Sequence, residues 1–139
     1  MTTLFISDLH LAVDQLELNQ QFIDLLAQAQ TKADAVYILG DLFDRWIGDD
    51  NKQAYLVPIY AALKTLSKQI PCYFMAGNRD FLIGQQFCQE TGVTLLPDPT
   101  IINLYGLKTL LTHGDLLCID DYRYQAYRAK TRNPATIKR

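Results

Sequence analysis

The 139-residue chain has little of what usually carries chemistry: two histidines, three cysteines and one tryptophan. Cys72, Cys88 and Cys118 are odd in number and show no CxxC spacing, which argues against a disulfide framework or a thiolate metal site and in favour of reduced, mostly buried thiols. No apolar run approaches the roughly 20 residues of a membrane-spanning helix. The start, Met1-Thr2-Thr3-Leu4, has neither a basic region nor a cleavage site, so a cytoplasmic location is expected. A net charge of −2 gives no electrostatic case for nucleic acid. Repeats, low-complexity tracts and interdomain linkers are also missing, and the length is that of one domain, residues 1–139.

What remains is an alternation of strand-like and helix-like segments, the pattern of an α/β fold. Short β-branched and aromatic runs stand at Leu4-Phe5-Ile6, Val36-Tyr37-Ile38-Leu39 and Cys72-Tyr73-Phe74-Met75. Between them, Leu18, Phe22, Leu25, Leu26 and Ala29 recur at helical spacing, as do Tyr55, Ile59, Leu63 and Leu66. Both helices therefore read as crossovers between parallel strands. A shorter helix is expected from Phe81 to Thr91, stopped by Gly92, with a strand at Val93 to Leu96 after it. Ile101 to Tyr105 and Leu107 to Thr112 flank Gly106 too closely for a helix, so they predict an antiparallel hairpin and a mixed sheet. Asp120-Asp121 offers an N-cap for a last helix, Tyr122 towards Arg132.

Four polar clusters follow the β-like runs and hold both histidines: Asp8-Leu9-His10, Gly40-Asp41-Leu42-Phe43-Asp44, Gly77-Asn78-Arg79-Asp80 and His113-Gly114-Asp115. A sheet would bring the four tips to one edge. Each cluster alone has a plainer reading, since an Asp after a Gly at a strand end serves as a turn or cap residue and a single His as a core residue. Together they supply the mixed oxygen and imidazole donors that suit manganese, iron or zinc. Asp8 and His10 can converge on one ion, Asn78 and His113 on a neighbour, and Asp41 can serve both. Two such ions, roughly 3.5–4 Å apart, activate water and orient a phosphoryl group. Arg79 is placed to grip a phosphate oxygen in fork geometry. Asp44, Asp80 and Asp115 read as groups that hold a ligand or loop in place, and Asp49-Asp50 as a solvated loop. Ser7 has no adjacent base, and no serine or cysteine sits in an elbow-like turn, so a covalent enzyme intermediate is not expected.

Asp-x-His, Gly-Asp-x-x-Asp, Gly-Asn-Arg-Asp and His-Gly-Asp in this order resemble the calcineurin-like metallophosphoesterase superfamily. The fold this implies is a β-sandwich of mixed sheets flanked by helices. Trp46-Ile47-Gly48-Asp49-Asp50, Gly77-Asn78-Arg79-Asp80-Phe81-Leu82, Thr94-Leu95-Leu96-Pro97 and Tyr124-Gln125-Ala126 narrow the resemblance to the UDP-2,3-diacylglucosamine diphosphatases of lipid A synthesis. That resemblance implies manganese-dependent hydrolysis of UDP-2,3-diacylglucosamine to UMP and 2,3-diacylglucosamine 1-phosphate, by water attacking the α-phosphorus, at the cytosolic face of the inner membrane. It assigns Asp8, His10 and Asp41 to one metal, Asp41, Asn78 and His113 to the other, and Asn78, Arg79 and Asp121 to substrate. The family continues with a helical cap and a Gly-His-x-His element, neither of which is found here, so the chain is expected to be incomplete at the C-terminus and poorly active by itself. Another phosphodiesterase or phosphatase of the superfamily, or a non-catalytic scaffold on its fold, stands as the alternative.

Overall fold

The computed structural model describes residues 1–46, 48, 53–77, 79–80 and 82–114. The expected helix after Asp121, and the expected roles of Asn78, Asp115 and Asp121, lie outside the described residues. Three crossovers build a four-stranded parallel sheet in the order β1 (Thr3–Ile6), β2 (Ala35–Ile38), β3 (Cys72–Met75), β4 (Thr94–Leu96), with α1 (Leu16–Lys32), α2 (Leu56–Gln69) and α3 (Gln85–Thr91) between successive strands. Consecutive helices pack on each other, α1 on α2 and α2 on α3.

Register explains which face they cover. Ile6, Ile38 and Phe74 are paired across the three strands and are buried, and they meet Phe22, Leu26 and Ala29 of α1 and Ile59, Leu63 and Leu66 of α2 in one core. Those helical residues recur every three or four positions, so one stripe of each helix is apolar and turned inward. Alternation sends Phe5, Tyr37 and Tyr73 to the opposite face, where they form a row of stacked rings with centroids 5.3 and 4.6 Å apart.

The hairpin β5 (Thr100–Leu104) and β6 (Leu107–Leu111) is antiparallel and turns at Gly106, as expected. It differs in one respect. The hairpin is a two-stranded sheet of its own, so the mixture of strand senses lies between the sheets and not within one. Its turn is tethered to the first sheet by the Tyr105 hydroxyl, which lies 2.6 Å from Thr3 Oγ1 and donates to Asp34 at 3.1 Å. The short helix α3 also differs, starting at Gln85 instead of Phe81, because Ile83 donates to the Asp80 carbonyl in a turn and Gly84 is extended.

Candidate metal centre

Beyond the ends of β1 and β2 the two chains keep hydrogen bonding: Asp8 donates to the Gly40 carbonyl, His10 to that of Asp41 and Leu11 to that of Leu42, at 2.7–3.1 Å. The backbone between them alternates, and Asp8, His10, Gly40 and Asp41 all have positive φ, at 58, 53, 96 and 52°. For residues with a Cβ that region is strained. It is held because the loops are hydrogen bonded to each other, and it lets Asp8 and His10 project towards Asp41.

Asp41 is the centre of the site. Its side chain is 7% exposed; Oδ1 accepts the Arg79 amide at 2.8 Å, and Oδ2 faces His10 Nε2 at 3.6 Å and His113 Nε2 at 3.4 Å. Both imidazoles thus converge on one oxygen, and the other is already held by the backbone. Donor atoms of Asp8, Asp41 and His113 all lie within 4.8 Å of one another. The four polar clusters do meet, but His113 arrives from the end of the separate hairpin. Thr112 beside it donates to Asp98 at 2.7 Å, which anchors that end.

Two glycines make the approach possible. A Cβ on Gly40 would lie 2.6 Å from His113 Nδ1 and 2.7 Å from the Gly77 Cα, and one on Gly77 would overlap the Asp41 carboxylate and amide. Neither position has room for a side chain.

The donor set fits a divalent cation. His113 Nδ1 lies 2.8 Å from the Leu39 carbonyl, and an N–H donated there leaves Nε2, on the Asp41 side, as the ligating nitrogen. His10 Nε2 is a buried nitrogen with no hydrogen-bond partner, which is the state of a ligand atom awaiting its ion. Burial alone would raise the Asp41 carboxyl, yet hydrogen bonds from His113 and the Arg79 amide, with the two imidazoles nearby, hold it at about 2. Its hydrogen bond to Asp41 carries His113 up to about 9, against the opposing effect of burial. A bound cation would take the place of the imidazolium proton between His113 and the Asp41 carboxylate, leaving both groups as ligands.

The sequence places Arg79 for substrate and Asp44 as a holding group, with nothing to link the two. In the structure Arg79 Nη1 contacts Asp44 Oδ1 at 3.0 Å, both side chains being about half exposed, so the guanidinium has Asp44 as an ion-pair partner at the surface. The Leu39 carbonyl has no signature in the side-chain sequence, and only the hairpin's position reveals its role.

Residues 1–134 match the calcineurin-like phosphoesterase family. The chain belongs to that family. Metal-dependent phosphoesterases make up this family, in agreement with the Asp and His cluster. Among curated relatives, a UDP-2,3-diacylglucosamine hydrolase of Photobacterium profundum is 52% identical over 134 residues, which is 96% of this chain and 55% of the relative. One from Yersinia pseudotuberculosis is 50% identical over 139 residues, 99% of this chain and 58% of the relative. The chain therefore spans little more than half the length of these relatives. A solved structure of a protein of unknown function from Aquifex aeolicus aligns with a TM-score of 0.53 at 20% identity, covering 93% of this phosphoesterase chain and 70% of that one, which supports the fold alone. Among the described residues no helix is long and apolar enough to cross a membrane.

Proposed function

We propose that this phosphoesterase hydrolyses the pyrophosphate of UDP-2,3-diacylglucosamine, releasing UMP and 2,3-diacylglucosamine 1-phosphate, with manganese as its metal and the cytosolic face of the inner membrane as its place of work. The observation that carries the reading is the convergence of Asp8, His10 and His113 on Asp41 in a chain 50–52% identical to hydrolases named for that substrate. A pair of divalent cations at such a site lowers the pKa of water and neutralises charge on the phosphoryl oxygens. The chain's own part is to hold and orient. Asp8, His10 and Asp41 would hold one cation and Asp41, Asn78 and His113 the other, and Asp41 Oδ2 is the oxygen turned towards both imidazoles. Arg79, steadied by Asp44, grips a phosphate oxygen of the substrate, and Asn78 and Asp121 complete the contacts to it.

Because the chain spans 55–58% of the relatives' length, turnover by the 139 residues alone is expected to be slow. The test is manganese binding by calorimetry together with UMP release from UDP-2,3-diacylglucosamine. Expected are binding and metal-dependent release in the wild type, and loss of both, by at least about 100-fold in rate, in Asp41→Ala. Hydrolysis of simple phosphodiesters without any UMP release would assign the site to another phosphodiesterase of the family. Failure to bind manganese or any other divalent ion would make the chain a scaffold.

A further inference from the structure

Asp80 has no solvent exposure at all, and its carboxylate is surrounded by donors. Oδ1 accepts the amides of Gly77 at 2.8 Å and Asp41 at 3.1 Å; Oδ2 accepts those of Leu42 at 2.8 Å and Phe43 at 3.3 Å. Three of the four amides are consecutive and begin at the residue that carries the central carboxylate. Traffic also runs the other way, since the Arg79 amide donates to Asp41 Oδ1 at 2.8 Å and the Trp46 amide to the Arg79 carbonyl at 3.1 Å. The loops after β2 and β3 therefore exchange carboxylates: each gives a side chain to the other's backbone.

Such an exchange does more than fill space. Asp41 sits at a positive φ of 52°, a conformation that a loop residue with a side chain leaves unless several contacts oppose it. Asp80 supplies those contacts through backbone amides, and so uses no atom that a cation would need. A neutral isostere cannot replace it. An amide group offers one acceptor oxygen and would point an NH₂ at backbone N–H groups that are themselves donors.

We infer that Asp80 is a positioning residue for the metal centre, presetting the direction of Asp41 Oδ2 before any ion arrives. The inference rests on the metal-site reading above. Groups that hold metal ligands in place are worth about 10- to 100-fold in affinity, and that is the expected loss for Asp80→Asn.

The experiment measures manganese affinity by calorimetry, well below the unfolding transition, in the wild type, in Asp80→Asn and in Leu63→Ala. Leu63 is a fully buried residue of α2 in the hydrophobic core, so its truncation lowers stability while leaving every loop residue and every Asp80 hydrogen bond chemically unchanged. The expected result is a 10- to 100-fold weaker Kd in Asp80→Asn and a Kd within about twofold of wild type in Leu63→Ala. A merely structural role for Asp80 would reduce the melting temperature and leave the Kd of folded molecules unchanged, overturning the inference. Should Asp80→Asn not fold, amide exchange in the metal-free wild type decides: protection at Asp41, Leu42, Phe43 and Gly77 supports a preset loop, and exchange at open-loop rates refutes it. Absence of manganese binding by the wild type would refute the metal-site reading and this inference with it, whereas unchanged affinity in Asp80→Asn refutes this inference alone.

Discussion

Three of the residues that converge at the centre are held in left-handed backbone, Asp8, His10 and Asp41, and the cost falls on ordinary L-residues. Asp tolerates that region better than most, through local hydrogen bonding, whereas His10 has only its neighbours to hold it. Replacing His10 by alanine removes the ligand and keeps the strain, while glycine removes both. We expect both variants to lose manganese affinity and His10→Gly to be the more stable by about 1 kcal/mol, a melting temperature roughly 3–5 °C higher. Thermal melts of the metal-free proteins check this, and an equal or lower value for glycine would remove strain from the account of the loop. The identity of these residues could be read from the sequence. Their φ could not, because it is imposed by loops from two strands that touch only after the sheet has formed.

At the scale of elements, apolar spacing marks the two long helices, and Phe22, Leu26 and Ala29 of α1 and Ile59, Leu63 and Leu66 of α2 are buried as that spacing predicts, whereas Leu18, Leu25 and Tyr55 are half-buried at the edges of the core. The expected α3 is longer than the observed one, since residues 82–84 lie in a turn that follows Asp80, whose side chain is committed to the other loop. What holds so short a helix is Phe87, fully buried, with ring contacts at centroid distances of 5.3–6.0 Å to Tyr60, Trp46, Phe74 and Phe43. It joins α2, α3, β3 and the loop after β2. Phe87→Ala should cost about 3–5 kcal/mol, a large share of the roughly 5–15 kcal/mol that a domain of this kind possesses. Denaturant unfolding measures it, and a loss below about 1 kcal/mol would mean that the ring cluster is loosely packed.

For the molecule as a whole, the Asp41 and His113 pair makes stability depend on pH when no metal is bound. Asp41 is held at about 2 against an ordinary 3.8, so its contribution is complete above 3.8 and is lost as the pH falls through 2. His113 is held at about 9 against an ordinary 6.5, so its contribution is complete below 6.5 and is lost as the pH rises through 9. Between 3.8 and 6.5 both are in force. In the presence of a chelator, the stability advantage of wild type over His113→Gln should therefore shrink steadily from pH 6.5 to 9. Melts at intervals across that window test it, and an advantage that grows with pH would reverse the assignment of charge.

The sequence by itself determined the parallel α/β frame, the hairpin at Gly106 and which polar residues stand beyond the strand ends, since strand periodicity, helix spacing and the order of four polar clusters are local properties that survive without a third dimension. Only the tertiary structure decided that both histidines meet one oxygen of Asp41, that its other oxygen belongs to the Arg79 amide, that Asp44 holds Arg79, and that Asp80 gathers four amides. Apart from the Gly77 amide, which belongs to the same loop as Asp80, each of these contacts joins residues more than 30 positions apart in the chain. Side-chain chemistry names what can bind, but backbone amides and carbonyls, present at nearly every residue, carry no sequence signal until folding chooses which of them face the site.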